Sequence, residues 1–180
     1  TEYLTKQMTS LYVDAVKQVD GVHFSTAAEL SEFCLDGVAI LEFLKKKQST
    51  YFSNKHHSLV GIEIPLEHPV TGTVGFKGFI DLVIRDDRDG TLVIWDIKTS
   101  TSGWNKYQKK DKTKTAQLVL YKEFYSKQFN VDPDTISVEY FIVRRKINED
   151  LEFAPKRIQL FAPADGKVTR KRVMTQLHDF

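Results

Sequence analysis

Cysteine is almost absent: Cys34 stands alone among 180 residues. That excludes a disulfide framework and any iron–sulfur cluster held by four cysteines of this chain. Cys34 lies in an apolar run of helical spacing and reads as a small buried hydrophobe. No apolar stretch approaches the roughly 20 residues that a membrane-spanning helix needs. The N-terminus lacks a signal-peptide pattern, so an intracellular protein is expected, neither secreted nor membrane-bound. A surplus of one charge is missing too: 26 Lys and Arg face 24 Asp and Glu, for a net charge of +2. Any surface for a polyanion therefore has to be a local patch. There is no internal repeat, low-complexity linker or domain break, so residues 1–180 read as one domain with a sizeable core. The first residue is Thr1 rather than Met, which suits a domain excised from a longer chain.

What is present is ordinary globular material, 41% hydrophobic and 28% charged. Helical spacing runs from Thr1 to Val19 and, after an N-cap at Ser25 with Glu29 in its capping box, to about Lys47. The second stripe (Leu30, Phe33, Cys34, Gly37, Ile40, Leu41, Leu44) is expected to pack on a sheet. Lys45-Lys46-Lys47 complements the helix dipole or meets a phosphate backbone. Strands are expected at Leu59–Leu66, Phe76–Ile84, Thr91–Lys98, Ile136–Arg145 and Glu152–Phe161, with a turn at His68–Gly72. A polar loop spans Ser100–Thr113, and helices follow over Thr113–Phe129 and Asp165–Phe180. Strand–hairpin–strand–helix order predicts an α/β fold: a mixed central sheet of four to five strands flanked by helices.

The informative stretch is GFIDLVIRDDRDGTLVIWDIKTS, from Gly78 to Ser100. Asp86-Asp87-Arg88-Asp89-Gly90 is a strong turn signal between two apolar strands. A hairpin folded about Arg88 and Asp89 sets Asp81 opposite Asp96, and Lys98 on the same face as Asp96. A carboxylate inside an apolar strand is costly unless it is paired or bound to a metal. Two readings stay open: a structural Asp96–Lys98 ion pair, or a site for a hard divalent cation with an adjacent ammonium.

These residues resemble the PD-(D/E)xK nuclease superfamily. Gly78-Phe79-Ile80-Asp81 is similar to its G-x-x-D half, and Asp96-Ile97-Lys98-Thr99 to its D-x-K-T half. Gln117 with Tyr121 resembles the Q-x-x-x-Y helix of the RecB-like exonuclease branch. The quoted motifs lie between about Ile62 and Val143. The resemblance implies a restriction-endonuclease-like core and metal-dependent hydrolysis of DNA, single- or double-stranded and engaged at an end. It also implies a place in replication, recombination or repair. Asp81, Asp96 and the Ile97 carbonyl would bind Mg²⁺ or Mn²⁺, with Glu63 as a further candidate. Lys98 would serve the chemistry, and Gln117 and Tyr121 would support it. The family's G-x-x-x-H ligand has no clear counterpart, which leaves His23, His56 and His57 as unassigned candidates.

Trp104, Lys106, Lys109, Lys110, Lys112 and Lys114 follow the Lys98 strand directly. Lysines interleaved with aromatics (Tyr107 is the second) suit phosphate contact and base stacking, or else a solvated loop. The alternative to an enzyme is a non-cleaving nucleic-acid-binding module of a larger replication or recombination assembly.

Overall fold

The computed structural model describes residues 2–148 and 150–179. Thr1 and Phe180, the expected outer ends of the first and last helices, lie outside the described residues. The chain divides after Gln48 into two compact units.

The first unit holds α1 (Glu2–Gln18) and α2 (Ala27–Lys46). The α2 N-cap is Thr26 rather than the expected Ser25. Its hydroxyl accepts the Glu29 N–H at 3.2 Å while the Glu29 carboxylate accepts the Thr26 N–H at 2.8 Å. A capping box sets its members three positions apart, which Thr26 satisfies and Ser25 does not. No described residue of α2 is buried. Cys34 is half-buried, with its Sγ 3.3 Å from Thr5 Oγ1.

The short helix α3 (Gln48–Tyr51) straddles the division. Beyond it lie β1 (His57–Thr71), β2 (Val74–Asp86), β3 (Leu92–Ser100), α4 (Lys106–Lys109), α5 (Lys112–Phe129), β4 (Ile136–Arg144), β5 (Ile158–Phe161) and α6 (Lys167–His178). The five strands form one sheet in the order β1-β2-β3-β4-β5. Among them only the β3–β4 pair is parallel. A parallel pair requires a long crossover, and α4 with α5 supplies it. The expected turn at His68–Gly72 shrinks to Gly72-Thr73, and β1 runs through Pro65 and Pro69. Both prolines are tolerated because β1 is an edge strand, with N–H positions that need no partner.

Helix α5 is the hub. Asp111 caps its start by accepting from Thr113 N at 2.9 Å, and Asn130 ends it in a left-handed conformation at φ 53°. Leu118, Tyr121, Phe124 and Tyr125 enter one apolar cluster with Leu66, Ile80, Val83, Ile94, Val138, Tyr140 and Ile142 of the sheet. Phe124 stacks on Phe76 with centroids 4.3 Å apart. Lys122 is buried and meets Asp165 at 2.6 Å, while Arg170 of α6 holds Glu123 at 2.8 Å and Asp134 at 2.9 Å. The Arg170–Glu123 pair ties α6 directly to α5, and Lys122 holds the segment that leads into α6. The other sheet face carries Trp95 and Phe141, packed with Tyr51 and Phe52.

Truncating the buried Phe124 side chain leaves a cavity in this cluster. Phe124→Ala is expected to lower unfolding stability by about 3–5 kcal/mol in urea titration. A loss under about 1 kcal/mol would mean that α5 is not the hub.

Candidate active site

The β2–β3 ladder pairs Leu82 with Trp95 and runs down to Arg85 with Leu92. One step beyond the Leu82–Trp95 pair, the same register sets Asp81 against Asp96. There the ladder changes character: the Ile97 N–H donates to Asp81 Oδ2 at 2.5 Å. A side-chain carboxylate takes the place of a strand carbonyl and so comes to rest against β3.

Asp96 is 2% exposed. Its Oδ1 accepts from Gln117 Nε2 at 3.1 Å. Its Oδ2 lies 2.7 Å from Lys98 Nζ but receives no aligned hydrogen bond. Gln117 is itself fixed on both sides. Its Nε2 also donates to Tyr121 Oη at 3.2 Å, and its Oε1 accepts from Tyr140 Oη at 3.2 Å. The single Tyr140 hydroxyl proton is shared with the Lys114 carbonyl, the nearer acceptor at 2.7 Å. Burial pushes the Asp96 carboxyl above the usual carboxylate range, Lys98 opposes the shift, and the Asp81 charge adds to it. Burial, then the Asp96 charge, raises the Tyr140 phenol as well, so Tyr140 remains a neutral donor.

The structure thus brings together Asp81, Asp96, Lys98, Gln117 and Tyr121 from β2, β3 and α5. Tyr140 was missed in the sequence, where its only signal is a hydroxyl in an apolar strand. Glu63 is exposed on β1, at the register position opposite Asp81, with φ +51°. Among the described residues, no three His, Cys, Asp or Glu side chains converge as a metal cluster. His57 instead lies 3.8 Å from Asp86, the His56 carbonyl accepts the Asp87 N–H, and His23 bonds Tyr12. The donor chemistry still fits a hard cation. Two carboxylates meet here, and one buried oxygen carries no aligned hydrogen bond. Mg²⁺ is commonly held by one or two carboxylates, with waters completing its shell.

The Ser100–Thr113 segment is more ordered than a polar loop. Asn105 caps α4, accepting from Tyr107 N and Gln108 N at 2.9 and 3.1 Å. Trp104 is 8% exposed, packed on Tyr140 at 4.6 Å between centroids. The expectation that a base stacks on Trp104 is corrected accordingly: its ring is core, and Gln159 fixes its backbone through Trp104 N at 2.7 Å and Trp104 O at 3.1 Å. Tyr107, at 72% exposure, is the accessible aromatic. Lys106, Lys110 and Lys112 are exposed. Lys109 covers the Phe161 ring, and Lys114 covers Trp104 while pairing with Asp111 at 2.6 Å.

The sequence profile of the PD-(D/E)XK nuclease superfamily matches residues 11–178, and the chain belongs to that superfamily. The match reaches well beyond the motif-bearing stretch. A mixed five-stranded sheet flanked by helices is the α/β, restriction-endonuclease-like core of such a protein, and the reaction class is phosphodiester hydrolysis. Among solved structures, the crystal structure of SSO0001 is similar at 17% identity, covering 99% of this chain and 84% of that one with a TM-score of 0.45. No curated protein matches the chain.

The raised Asp96 carboxyl gives a signed pH prediction. A carboxyl with a folded pKa above its unfolded value of 3.8 destabilises the fold once ionised, so its contribution worsens as pH rises from about 4 through the raised value. In chelator, Asp96→Asn should be as thermally stable as wild type or more so at pH 7. That advantage should shrink toward pH 4. A gap that widens on acidification would contradict the burial argument.

Proposed function

We propose that this chain is a metal-dependent deoxyribonuclease of the RecB-like exonuclease branch, acting on DNA ends in replication, recombination or repair. The observation that carries the reading is the buried, charge-strained Asp96, which shares its neighbourhood with Asp81 and Lys98. A purely structural ion pair does not call for a second carboxylate that raises the cost of the first. Asp81, Asp96 and the Ile97 carbonyl would hold Mg²⁺ or Mn²⁺. When bound, such a cation supplies Lewis-acid polarisation of the phosphate and lowers the pKa of a water. Gln117, locked by Tyr121 and Tyr140, orients the Asp96 carboxylate. Lys98, partly exposed beside Asp96, faces the charge that grows on the attacked phosphate or orients the attacking water.

The test is degradation of labelled single- and double-stranded DNA with and without Mg²⁺ or Mn²⁺, together with two variants. Asp96→Ala should abolish cleavage and weaken Mn²⁺ binding in calorimetry. Lys98→Ala should keep Mn²⁺ binding and lose most of the single-turnover rate, because its charge matters chiefly in the transition state. Binding of DNA without cleavage under every metal would favour a non-cleaving module instead.

The exposed lysines of the α4 region are the proposed phosphate contacts. Replacing Lys106, Lys110 and Lys112 with Ala should weaken binding regardless of DNA sequence. The salt slope of log K should fall by roughly 0.7 for each single-strand phosphate that is no longer gripped. Unchanged affinity and slope would make the segment a solvated linker.

A further inference from the structure

In a regular strand, residues three apart point to opposite faces. The β1–β2 hairpin breaks this rule on both strands at the same level. Ile80 and Val83 are both fully buried in the one core cluster under α5. Their cross-strand partners are Ile64 and Gly61. A Cβ built on Gly61 would meet Ile64 Cδ1 at 2.7 Å and Cγ1 at 2.9 Å, so positions 61 and 64 share a face as well. The pairing registers on the two sides of Glu63 are the same, Ile62 with Leu82 and Ile64 with Ile80, so no residue is inserted there; the nearest register shift lies further along, between Leu59 and Gly61. The break is a change of facing, not a slip. At its centre stands Glu63, whose φ of +51° is the left-handed region that non-glycine residues seldom enter inside a strand. The position opposite it is Asp81.

The change of facing is what the site requires. Ile94 and Asp96 lie on the α5 side of β3, with Ile94 opposite Val83. Asp81 must share the facing of Val83 to stand against Asp96, yet its neighbour Ile80 already faces that side. An unbroken β2 would satisfy Ile80 or Asp81, but not both.

We propose that Glu63 is a positioning residue that acts through its backbone: its left-handed conformation turns the hairpin so that Asp81 faces Asp96 and caps the Ile97 amide. The importance of that arrangement for catalysis rests on the function proposed above; the positioning itself does not. The exposed Glu63 carboxylate is then dispensable, in contrast to a metal-ligand role.

The experiment compares Glu63→Gly, Glu63→Asn and Glu63→Val in the full chain. The first readout is hydrogen exchange of the Ile97 amide in metal-free protein, which reports the Asp81 contact without reference to activity. Gly and Asn adopt the left-handed region readily and should retain wild-type protection within about twofold. Val, β-branched and the worst suited, should speed Ile97 exchange by about tenfold or more. Mn²⁺ affinity and single-turnover cleavage should follow the same order, with Gly restoring what Val loses. If Val does not fold, Glu63→Ala takes its place, with the same direction expected. Full protection of Ile97 in the Val or Ala variant would overturn the proposal. So would loss of protection or of Mn²⁺ affinity in the Gly variant, because the carboxylate would then be needed. An Asp96→Ala control that still cleaves would fault the proposed function and leave the Ile97 result to judge the positioning alone.

Discussion

The structure turns on one unfavourable placement, the Asp96 carboxylate inside the protein with a second carboxylate one strand away. An ionised carboxyl gains solvation only from what its neighbours provide, and here they provide little: one amide N–H on Oδ1 and one ammonium beside Oδ2. Everything around it serves to hold this state. The Gln117 amide turns its nitrogen to Asp96, with the Tyr121 and Tyr140 hydroxyls as its further neighbours. Helix α5, which carries Gln117 and Tyr121, is itself anchored by Phe124 in the core and by the α6 ion pairs.

The same network fixes the segment that leaves the site. Tyr140 bonds the Lys114 carbonyl and packs on Trp104, and Trp104 is held in turn by Gln159 of β5. The lysine-bearing α4 is therefore carried on a rigid mount beside the end of β3 rather than on a free loop. Rigid placement lowers the ordering cost of gripping a ligand. Trp104 contributes to that by being buried, which is the opposite of the stacking role that its spacing among lysines suggests.

Buried ion pairs elsewhere in the second unit show what a structural role looks like. Lys122 with Asp165 and Arg170 with Glu123 pair charges one to one or share a cation between two carboxylates. In the Asp81–Asp96–Lys98 group, burial and the second carboxylate both push Asp96 upward against its one ammonium. An excess of negative charge held in a dry setting is an arrangement that a cation relieves.

The sequence alone determined the order of the strands and long helices and the chemistry they carry. Apolar runs on both sides of Asp86–Gly90 gave the hairpin, its length set Asp81 against Asp96, and the four-residue spacing of Gln117 and Tyr121 put both on one helix face. These features are local, so periodicity and turn residues suffice to read them. The tertiary structure decided what depends on partners distant in the chain. Trp104 became core because Tyr140 and Gln159 meet it, Tyr140 joined the site because β4 lies parallel to β3, and β1 ran through its prolines because it is an edge. Glu63 is the sharpest case. Its residue type suggested only a carboxylate, while its left-handed backbone, at φ +51°, appears only once β1 is paired with β2 in the folded sheet.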